Sequence, residues 1–388
     1  MISSIIQTSP FLVCIICIIV ILLKYRKNHK QDTKFLLFLL IDMSIFSLYY
    51  CSYISGEINF IKKTYPIFIF SKLTIFPLYY IYIKSITIPK RNKKLEIASL
   101  LPAFIFSFLL FILIFPTGIE EFSKYIYQAL TSRPKPSDCS LCHYIYYIIL
   151  CSNIYFTFQI LYTTYKGIIL IKKYNLEIAD YYSDTYNKTF FNIRHSFSLF
   201  SLLAILLFML NIFGMFNFTN NQVIVYIISI SLSIFAFSIA YIGENQKFNI
   251  IDFEQEKQKE DSTHNDTSLS PQMFRTLSEK IDDIIKKEKL YLNSDLRVSD
   301  IATRLNSNRT YIHQAINKER SLSFSEYINH FRIEHSKQLI IDKINKGENP
   351  TIQDIIYESG FTNMSSFYRV FKNETGYTPH SWIKQNTK

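Results

Sequence analysis

Glycine is scarce in this sequence, with only eight among 388 residues. The loops that hold nucleotides in enzymes use closely spaced glycines, because their backbone must approach the phosphates. Such a loop is hard to place here, and the sequence also lacks a G-x-S-x-G turn, a protein-kinase signature and paired carboxylates in a soluble segment. These absences predict that the protein is not an enzyme and has no cofactor and no metal.

Acidic residues are scarce in the first part of the chain. Residues 1–243 hold 21 Lys and Arg but only 10 Asp and Glu, whereas residues 244–388 contain 21 of each. The net charge of +11 therefore belongs entirely to the first part. A basic charge often indicates nucleic-acid binding, but here the excess lies between apolar runs, where it is informative about membrane topology.

Long apolar runs fill residues 1–243, and seven of them approach the roughly 20 residues that a membrane-spanning helix needs. Basic residues follow the first run instead of preceding it, unlike a secretory signal, so this run is expected to be retained. The sequence therefore predicts a seven-helix transmembrane bundle, with spans near residues 4–23, 35–54, 65–83, 97–116, 144–165, 197–217 and 222–242.

Basic residues alternate between the loops of this layout, with fifteen in the odd-numbered loops and five in the even-numbered loops. Cytoplasmic loops carry such an excess. We therefore expect a multi-pass protein of the inner (cytoplasmic) membrane, with its N-terminus outside and its C-terminal domain in the cytoplasm of a bacterium. The fifteen are Lys24, Arg26, Lys27, Lys30, Lys34, Lys84, Lys90, Arg91, Lys93, Lys94, Lys166, Lys172, Lys173, Lys188 and Arg194, and the five are Lys62, Lys63, Lys124, Arg133 and Lys135.

Two ionisable residues fall inside predicted spans, Asp42 in the second and Lys72 in the third. With a rise of about 1.5 Å per residue, they lie about 10 Å deep from opposite faces, so a direct pair is not expected. Such residues mark a ligand or ion path, as in a transporter with a regulatory tail, or they meet polar groups within the bundle. Both interpretations stay open. Asn153, Gln159 and Asn211 are expected to hydrogen-bond between helices.

The segment Cys139-Ser-Leu-Cys142-His143 is the one pattern that suggests redox or metal chemistry. Its spacing occurs in c-type haem attachment, and its ligands also suit zinc. On the predicted topology the loop faces an oxidising compartment, which favours a disulfide between Cys139 and Cys142. A disulfide is the main prediction, followed by unpaired thiols. A haem or metal site, which would make this an electron-transfer or metal-binding membrane protein, is the third alternative.

A polar stretch follows the last predicted span. Residues 244–271 predict a linker, and residues 272–388 a separate domain. That domain begins with an amphipathic pattern, in which apolar residues recur every three or four positions. The helix is expected to pack on the rest of the domain, or to pair with a second copy. The residues are Met273, Leu277, Ile281, Ile284 and Ile285.

Residues 298–318 have the pattern of a helix-turn-helix unit. Val298, Ile301, Ala302 and Leu305 form the inner face of a short helix, and residues 306–308 form the turn, where Asn tolerates the left-handed conformation. In the second helix, Ile312 and Ile316 face inward. The outward side chains then suit DNA bases and phosphates; they are Arg309, Thr310, His313, Gln314 and Asn317.

A second unit follows at residues 351–373, joined to the first by a helix over residues 323–342. Ser323 with Glu326, and Thr351 with Asp354, predict capping boxes at two helix starts. Gly360 supplies the turn of the second unit, and Asn363 caps its second helix. The outward residues of that helix are predicted to be Met364, Ser365, Ser366, Arg369 and Lys372.

These motifs resemble the DNA-binding domain of the AraC-type (arabinose-regulator-like) transcription regulators, over residues 284–384. The resemblance implies two helix-turn-helix units that enter successive major grooves on one face of DNA. The matching segments are residues 288–296, 327–329, 332–333, 360–361, 366–372 and 376–379.

Three positions depart from the family pattern. Asn306 stands where a glycine is usual, Ile356 where an alanine is usual, and residues 382–384 replace a usual Tyr-Arg ending. The side chain of Ile356 must be accommodated by local packing, and Trp382 is expected to cover the core.

Taken together, the pattern predicts an all-α chain with a transmembrane bundle and a two-unit helix-turn-helix domain. The expected function is a membrane-tethered, sequence-specific DNA-binding transcription regulator that couples a signal to gene expression. The expected partners are double-stranded DNA and membrane lipid. RNA polymerase, a second copy of the chain, and a small-molecule or protein signal of unknown identity are further candidates.

Overall fold

A computed structural model describes residues 2–25, 31–55, 57–88, 90–122, 140–185, 200–209, 221–245, 253, 270–348 and 351–386. The chain divides into two compact units. The first comprises Met1–Ile171 and Asn192–Gln246, and the second comprises Lys172–Phe191 and Lys247–Lys388. The described elements are helical throughout, apart from one isolated β-bridge between Tyr182 and Arg297. The predicted all-α fold class is confirmed.

Six described helices or helix pairs are long and apolar enough to cross a membrane, and their extents are Ser3–Lys24, Thr33–Ser55, Asn59–Thr87, Lys93–Ile114, Leu141–Tyr181 and Gln222–Glu244. Five of them have large exposed apolar side chains along much of their length, which suits contact with lipid. The elements themselves are α1 Ile2–Tyr25, α2 Gln31–Ser55, α3 Ile58–Thr87, α4 Lys93–Ala98, α5 Leu101–Ile114, α6 Ser140–Tyr181 and α8 Gln222–Asn245.

The remaining predicted span, near residues 197–217, is described only in part. Phe200–Met209 forms a short apolar helix, α7. Residues 197–199 and 210–217 lie outside the described residues. The sixth of the seven predicted spans therefore stays a prediction over its full length.

Helix α6 is much longer than the predicted fifth span, which ended at residue 165. It has 42 residues, which at a rise of about 1.5 Å each is about twice the thickness of a bilayer core. Its basic residues Lys166, Lys172 and Lys173 mark the point at which an apolar environment becomes unfavourable. The last ten residues, Lys172–Tyr181, belong to the second unit.

Asp42 and Lys72 have separate partners in the first unit. The hydroxyl of Thr74 donates to Asp42 Oδ2 at 2.7 Å. The ammonium group of Lys72 donates to Asn153 Oδ1 at 2.7 Å and lies 4.6 Å from the ring centroid of Phe156. These contacts join neighbouring helices, as expected for polar groups within a bundle.

The cysteines divide into two classes. Cys142 takes part in a disulfide, and Cys14, Cys17, Cys51 and Cys151 are free thiols. Cys139 lies outside the described residues, so its pairing with Cys142 stays a prediction. A disulfide-bonded Cys142 has no thiolate for haem attachment or zinc, which disfavours the electron-transfer and metal-binding alternative.

Besides the end of α6, the second unit contains seven helices among the described residues, with a 3₁₀ turn at Leu290–Leu292. They form two helix-turn-helix pairs, α10 with α11 and α13 with α14, joined by the long connecting helix α12. The bounds are α9 Pro271–Lys287, α10 Val298–Arg304, α11 Arg309–Arg320, α12 Phe324–Asn345, α13 Ile352–Glu358, α14 Met364–Thr375 and α15 Pro379–Asn386.

Apolar residues at helical spacing close the core of the second pair. Ile352, Ile355 and Ile356 from α13 pack with Phe367 and Phe371 of α14. Ile356 is only 2% exposed, so the core accommodates the larger side chain that replaces the family's usual alanine. The ring of Trp382 meets Phe371 edge-on at 5.9 Å and covers this core, as the sequence predicted.

The helix starts follow the predicted capping pattern except at one position. Ser323 and Glu326 form a complete capping box, and Asn363 accepts the N–H of Ser366 at 2.8 Å. The predicted box at Thr351 is wrong in detail. Its hydroxyl donates to the carboxylate of Asp354 and does not accept a helix N–H.

The turns of the two pairs both use the left-handed backbone region. Asn306 has φ +46° in the first turn and Gly360 has φ +84° in the second. Asn is among the few side chains that adopt this region at low cost, which explains why Asn306 replaces a glycine. At Gly360 an added Cβ would lie 2.7 Å from the carbonyl oxygen of Tyr291, so packing also requires glycine there.

Candidate nucleic-acid interface

The first recognition helix, α11, presents one face to the core and one away from it. Ile312, Ala315 and Ile316 are buried, and Asn308 caps the helix by accepting the N–H of Thr310 at 2.8 Å. In a helix-turn-helix pair the N-terminal residues of the second helix contact base edges. The predicted set Arg309, Thr310, His313, Gln314 and Asn317 lies on the side away from the buried residues.

Only Asn317 of this predicted set is well exposed; the other four side chains are half-buried. The ring Nε2 of His313 lies 3.2 Å from Asp180 Oδ2. The guanidinium of Arg309 lies 5.7 Å from the ring centroid of Tyr181. Both Asp180 and Tyr181 belong to α6, so a segment far away in the sequence contacts the face predicted to read DNA.

The second recognition helix, α14, has a more open surface. Met364, Ser365, Arg369 and Lys372 are exposed, as predicted. The predicted outward position of Ser366 is wrong, since this side chain is 8% exposed. It lies one turn before the buried Val370 and therefore shares the core-facing side.

Helix α9 packs on the first pair, as one of the two interpretations of its amphipathic pattern predicted. Lys318 Nζ lies 4.2 Å from the ring centroid of Phe274, and Asp282 accepts hydrogen bonds from Arg320 and Tyr327. The buried stripe differs from the predicted one, because Phe274 is buried and Met273 is 55% exposed. Its members are Phe274, Ser278, Ile281 and Ile285.

A buried arginine organises the centre of the second unit. Arg332 is 1% exposed. Its guanidinium donates to the carbonyl oxygens of Tyr291 at 2.7 Å and Asn293 at 2.9 Å, to the Ser183 hydroxyl at 3.0 Å and to Asn329 Oδ1 at 3.3 Å. Burial lowers its pKa to about 10, opposed by the nearby carboxylates of two aspartates. Neutral oxygen acceptors thus hold the guanidinium, and few of its N–H donors are left without a partner.

The segment Tyr181–Asp184 is built into this arrangement. Ser183 is fully buried; its N–H donates to Leu296 O at 3.0 Å, and its carbonyl accepts the hydroxyl of Ser325 at 3.0 Å. Tyr182 forms the antiparallel bridge with Arg297. At the other end, the hydroxyl of Thr362, in the turn of the second pair, donates to Asp184.

Aromatic packing adds to these contacts. Tyr181 and Tyr182 are 1% and 2% exposed. The ring of Phe253 meets Tyr181 edge-on at 5.1 Å and lies 6.0 Å from Tyr182. We name the residues Asp180–Asp184 the docked segment. Its docking was not predicted from the sequence; the only sequence signal is a run of aromatic and polar residues that continues a helix beyond a basic membrane boundary.

Comparison with known proteins agrees with this geometry. Residues 301–385 match a family model described as a helix-turn-helix domain. The chain is similar to the Msm operon regulatory protein of Streptococcus mutans, with 36% identity over 94 residues, which is 24% of this chain and 31% of that protein. It is also similar to the uncharacterized HTH-type transcriptional regulator YtdP of Bacillus subtilis, with 30% identity over 112 residues, 29% of this chain and 14% of that one.

A third relative is the uncharacterized HTH-type transcriptional regulator YijO of Escherichia coli, with 29% identity over 75 residues, 19% of this chain and 25% of that one. No solved structure matches the chain. The aligned region spans less than a third of the length of each of these three relatives. The second unit thus contains a helix-turn-helix DNA-binding domain of the AraC type.

Proposed function

We propose that this protein is a membrane-bound, sequence-specific DNA-binding transcription regulator that couples a membrane or extracytoplasmic signal to gene expression. The observation that carries the proposal is the presence, in one chain, of six membrane-length apolar helices and a two-pair helix-turn-helix domain. An AraC-type domain supplies DNA recognition, and the apolar helices keep that recognition at the membrane. The signal is a small molecule or a protein, and a homodimer and RNA polymerase are candidate partners.

The two recognition helices are assigned different parts of DNA recognition. The first carries Arg309, Gln314 and Asn317, whose side chains form bidentate contacts with base edges, so it is expected to supply most sequence specificity. The second exposes Arg369 and Lys372 beside Met364 and Ser365. Contacts with phosphates carry no sequence information, so the second helix, through Arg369 and Lys372, is expected to position the domain on DNA.

The proposed topology places this domain in the cytoplasm. Fifteen basic residues in the odd-numbered loops of the predicted layout, against five in the even-numbered loops, support this orientation. A reporter fused after Lys388 tests it directly. Activity of a reporter that works only in the cytoplasm is expected. Activity only of a periplasmic reporter would rule out access to the chromosome and the proposed function with it.

DNA binding is tested with the full-length protein in lipid nanodiscs. Duplexes are selected from a random-sequence pool, and the dissociation constant is then measured over a range of salt concentrations. Neutralisation of phosphates by basic side chains releases counterions, so affinity is expected to fall linearly on a log–log plot. Duplex that is retained with no salt dependence contradicts the proposal, and so does folded protein that retains no duplex either as the wild type or as Asp180→Asn.

A matched pair of variants links that binding to the assigned face. Arg309→Ala removes a predicted base contact, whereas Arg275→Ala removes an arginine of α9 that is 79% exposed and paired with Glu279. Only the first is expected to weaken binding to the selected sequence. Equal effects of the two would show that nonspecific charge, not the recognition helix, holds the DNA.

A further inference from the structure

The first recognition helix is occupied by a part of its own chain. His313 and Arg309 lie at positions i+4 and i of α11, on one face, and both contact the end of α6. These are the same side chains that DNA would need. Contact with these side chains links the docked segment to the control of DNA binding. This inference rests on the proposed function in DNA binding.

We propose that the docked segment is an intramolecular regulator that holds the first recognition helix in a state unable to read DNA. DNA binding then requires Asp180 and Tyr181 to leave Arg309 and His313. The signal acts by changing the position of α6, and the second recognition helix stays open in both states.

Electrostatics support competition between the segment and DNA. Asp180 places a carboxylate 3.2 Å from the His313 ring, in the position that a phosphate or a base acceptor would take. DNA is a dense array of negative charge, so a carboxylate on the recognition face opposes its approach. The carboxylate thus both lies against the His313 ring nitrogen and repels DNA.

Sterics lead to the same conclusion. The ring of Tyr181 lies over Arg309 and is itself 1% exposed. A bidentate contact of Arg309 with a guanine needs the guanidinium to project freely into the major groove. It cannot do so while its side chain is half-buried beneath an aromatic ring, so the docked segment has to move first.

The other end of the segment explains how one element reaches both pairs. Ser183 bonds to Leu296 ahead of the first pair and to Arg332 in the connecting helix. Asp184 accepts from Thr362 in the second turn. Because these anchors belong to different elements, the segment fixes the first pair against the connecting helix and the second turn, and its release frees several contacts at once.

Chain connectivity supplies a route for the signal. Asp180 and Tyr181 lie in the same continuous helix as the candidate span Leu141–Tyr181. A slide by one turn moves a helix by about 5.4 Å, which is more than any of the contacts at 3.2 Å and 3.0 Å can tolerate. A small axial movement of this helix is therefore sufficient to undock the segment.

The first test compares two isosteric variants in the full-length protein in nanodiscs. Asp180→Asn removes the charge that faces His313. Glu177→Gln makes the same change three residues earlier on α6, at a side chain with no ion pair to any residue that the structure describes. Affinity for duplexes selected by the wild-type protein is expected to rise by at least about fivefold for Asp180→Asn, the lower end of measured allosteric couplings, and to be unchanged for Glu177→Gln.

An unchanged or lower affinity of Asp180→Asn, in protein whose Trp382 fluorescence shows normal folding, overturns the inference. It would mean that the segment is neutral or supports binding. That result leaves the proposed function intact as long as the wild-type protein binds duplex with the expected salt dependence. If neither the wild type nor Asp180→Asn binds any duplex, the proposed function fails.

The second test observes undocking without any substitution. Hydrogen exchange is measured at Tyr182–Asp184 in the full-length protein, with and without saturating selected duplex. The Ser183 N–H is bonded to Leu296 O and buried, so it is expected to exchange slowly in the free protein. DNA is expected to speed its exchange by at least about tenfold, equal to a loss of about 1.4 kcal/mol of protection. Protection that DNA leaves unchanged shows that the segment stays docked and overturns the inference.

Discussion

The two recognition helices begin in the same way and end up in different surroundings. Each follows a turn with a left-handed residue, Asn306 or Gly360, and each is capped by an asparagine, Asn308 or Asn363. Yet the reading face of the first is half-buried against the end of α6, and that of the second is exposed. Similar local sequence thus produces two similar helices, and the neighbours of each helix determine whether its face is available.

The difference in exposure assigns phosphate binding and base reading to different helices, whereas two identical helices would share both. The second helix is open and basic at Arg369 and Lys372, so it can engage phosphates at any time. The first, with the base-reading side chains, is engaged by Asp180 and Tyr181. Substitutions in the two recognition helices are therefore expected to affect nonspecific and specific DNA binding differently. Substitutions in the packing around the two pairs are also expected to differ in how much stability they cost.

The largest effect is expected from Arg332→Met, which removes the link between the docked segment and both pairs. The variant leaves the carbonyls of Tyr291 and Asn293 buried without their donor. Each buried acceptor that loses its donor costs about 1–3 kcal/mol. Denaturant unfolding of the full-length protein, followed by the fluorescence of its single tryptophan, Trp382, measures this loss.

Arg369→Met is the control for that experiment, because Arg369 is exposed on the second recognition helix. Exposed substitutions of this kind change stability by about 0.5 kcal/mol or less. Equal losses in the two variants would show that Arg332 does not organise the unit.

A side chain at Gly360, in the turn of the second pair, is expected to cost more stability than its backbone angle alone would suggest. Gly360→Ala places a Cβ within 3 Å of the backbone of Tyr291 and Leu292, in addition to the cost of φ +84°. Gly376→Ala has φ +77° but meets nothing within 4 Å. The left-handed conformation costs about 1–2 kcal/mol, so Gly376→Ala is expected to lose about that and Gly360→Ala clearly more. Equal free energies of unfolding for the two variants would contradict the claim that close packing requires glycine at Gly360.

Substitutions in the two recognition helices are expected to change DNA binding in different ways, one reducing sequence preference and the other reducing affinity for every sequence. Arg309→Ala should cost about 1–3 kcal/mol on the selected sequence and relax the preference at one base position. Lys372→Ala should weaken binding to all sequences alike and reduce the salt slope by about one. Repeating the selection with each variant measures both properties. A relaxed preference in the Lys372 variant would contradict the division of tasks.

The smallest effect concerns pH and His335, which packs against Tyr291. Burial, aided by Lys289, lowers the pKa of this histidine in the folded protein, although Glu358 and Asp342 oppose the shift. The unfolded chain therefore binds the proton more readily, and stability is lost as pH falls below the ordinary value near 6.5. Wild type should lose slightly more stability than His335→Gln between about pH 7.5 and about pH 5.5. An identical pH dependence in the two proteins contradicts this assignment.

Much of the helical layout follows from local rules that act within a few residues. Ser323 with Glu326 and Asn363 with Ser366 cap helices where the sequence predicts them, because a side-chain oxygen near a free N–H suffices. The burial of Ile312, Ile316, Phe367 and Phe371 also follows from helical spacing.

The predictions that were wrong concern positions where a neighbour decides between two similar faces. Phe274, not Met273, is buried in α9, because α11 packs on that side. Ser366 is buried beside the core and not turned outward. The Thr351 hydroxyl donates to Asp354 and does not accept a helix N–H, and the spacing of the two residues does not decide between these roles. The first two cases depend on which surface an adjacent helix covers, and the periodicity of one helix contains no such information.

The sequence by itself determined the helical class, six of the seven predicted apolar spans, the two helix-turn-helix pairs and their asparagine and serine caps, since each depends on residues close together in the chain. Only the tertiary structure showed the docking of Asp180–Asp184 and the central position of Arg332. Ser183 and Arg332 are separated by 149 residues. Their contact depends on how the end of α6 meets the connecting helix, a matter of packing between distant elements that no local pattern encodes.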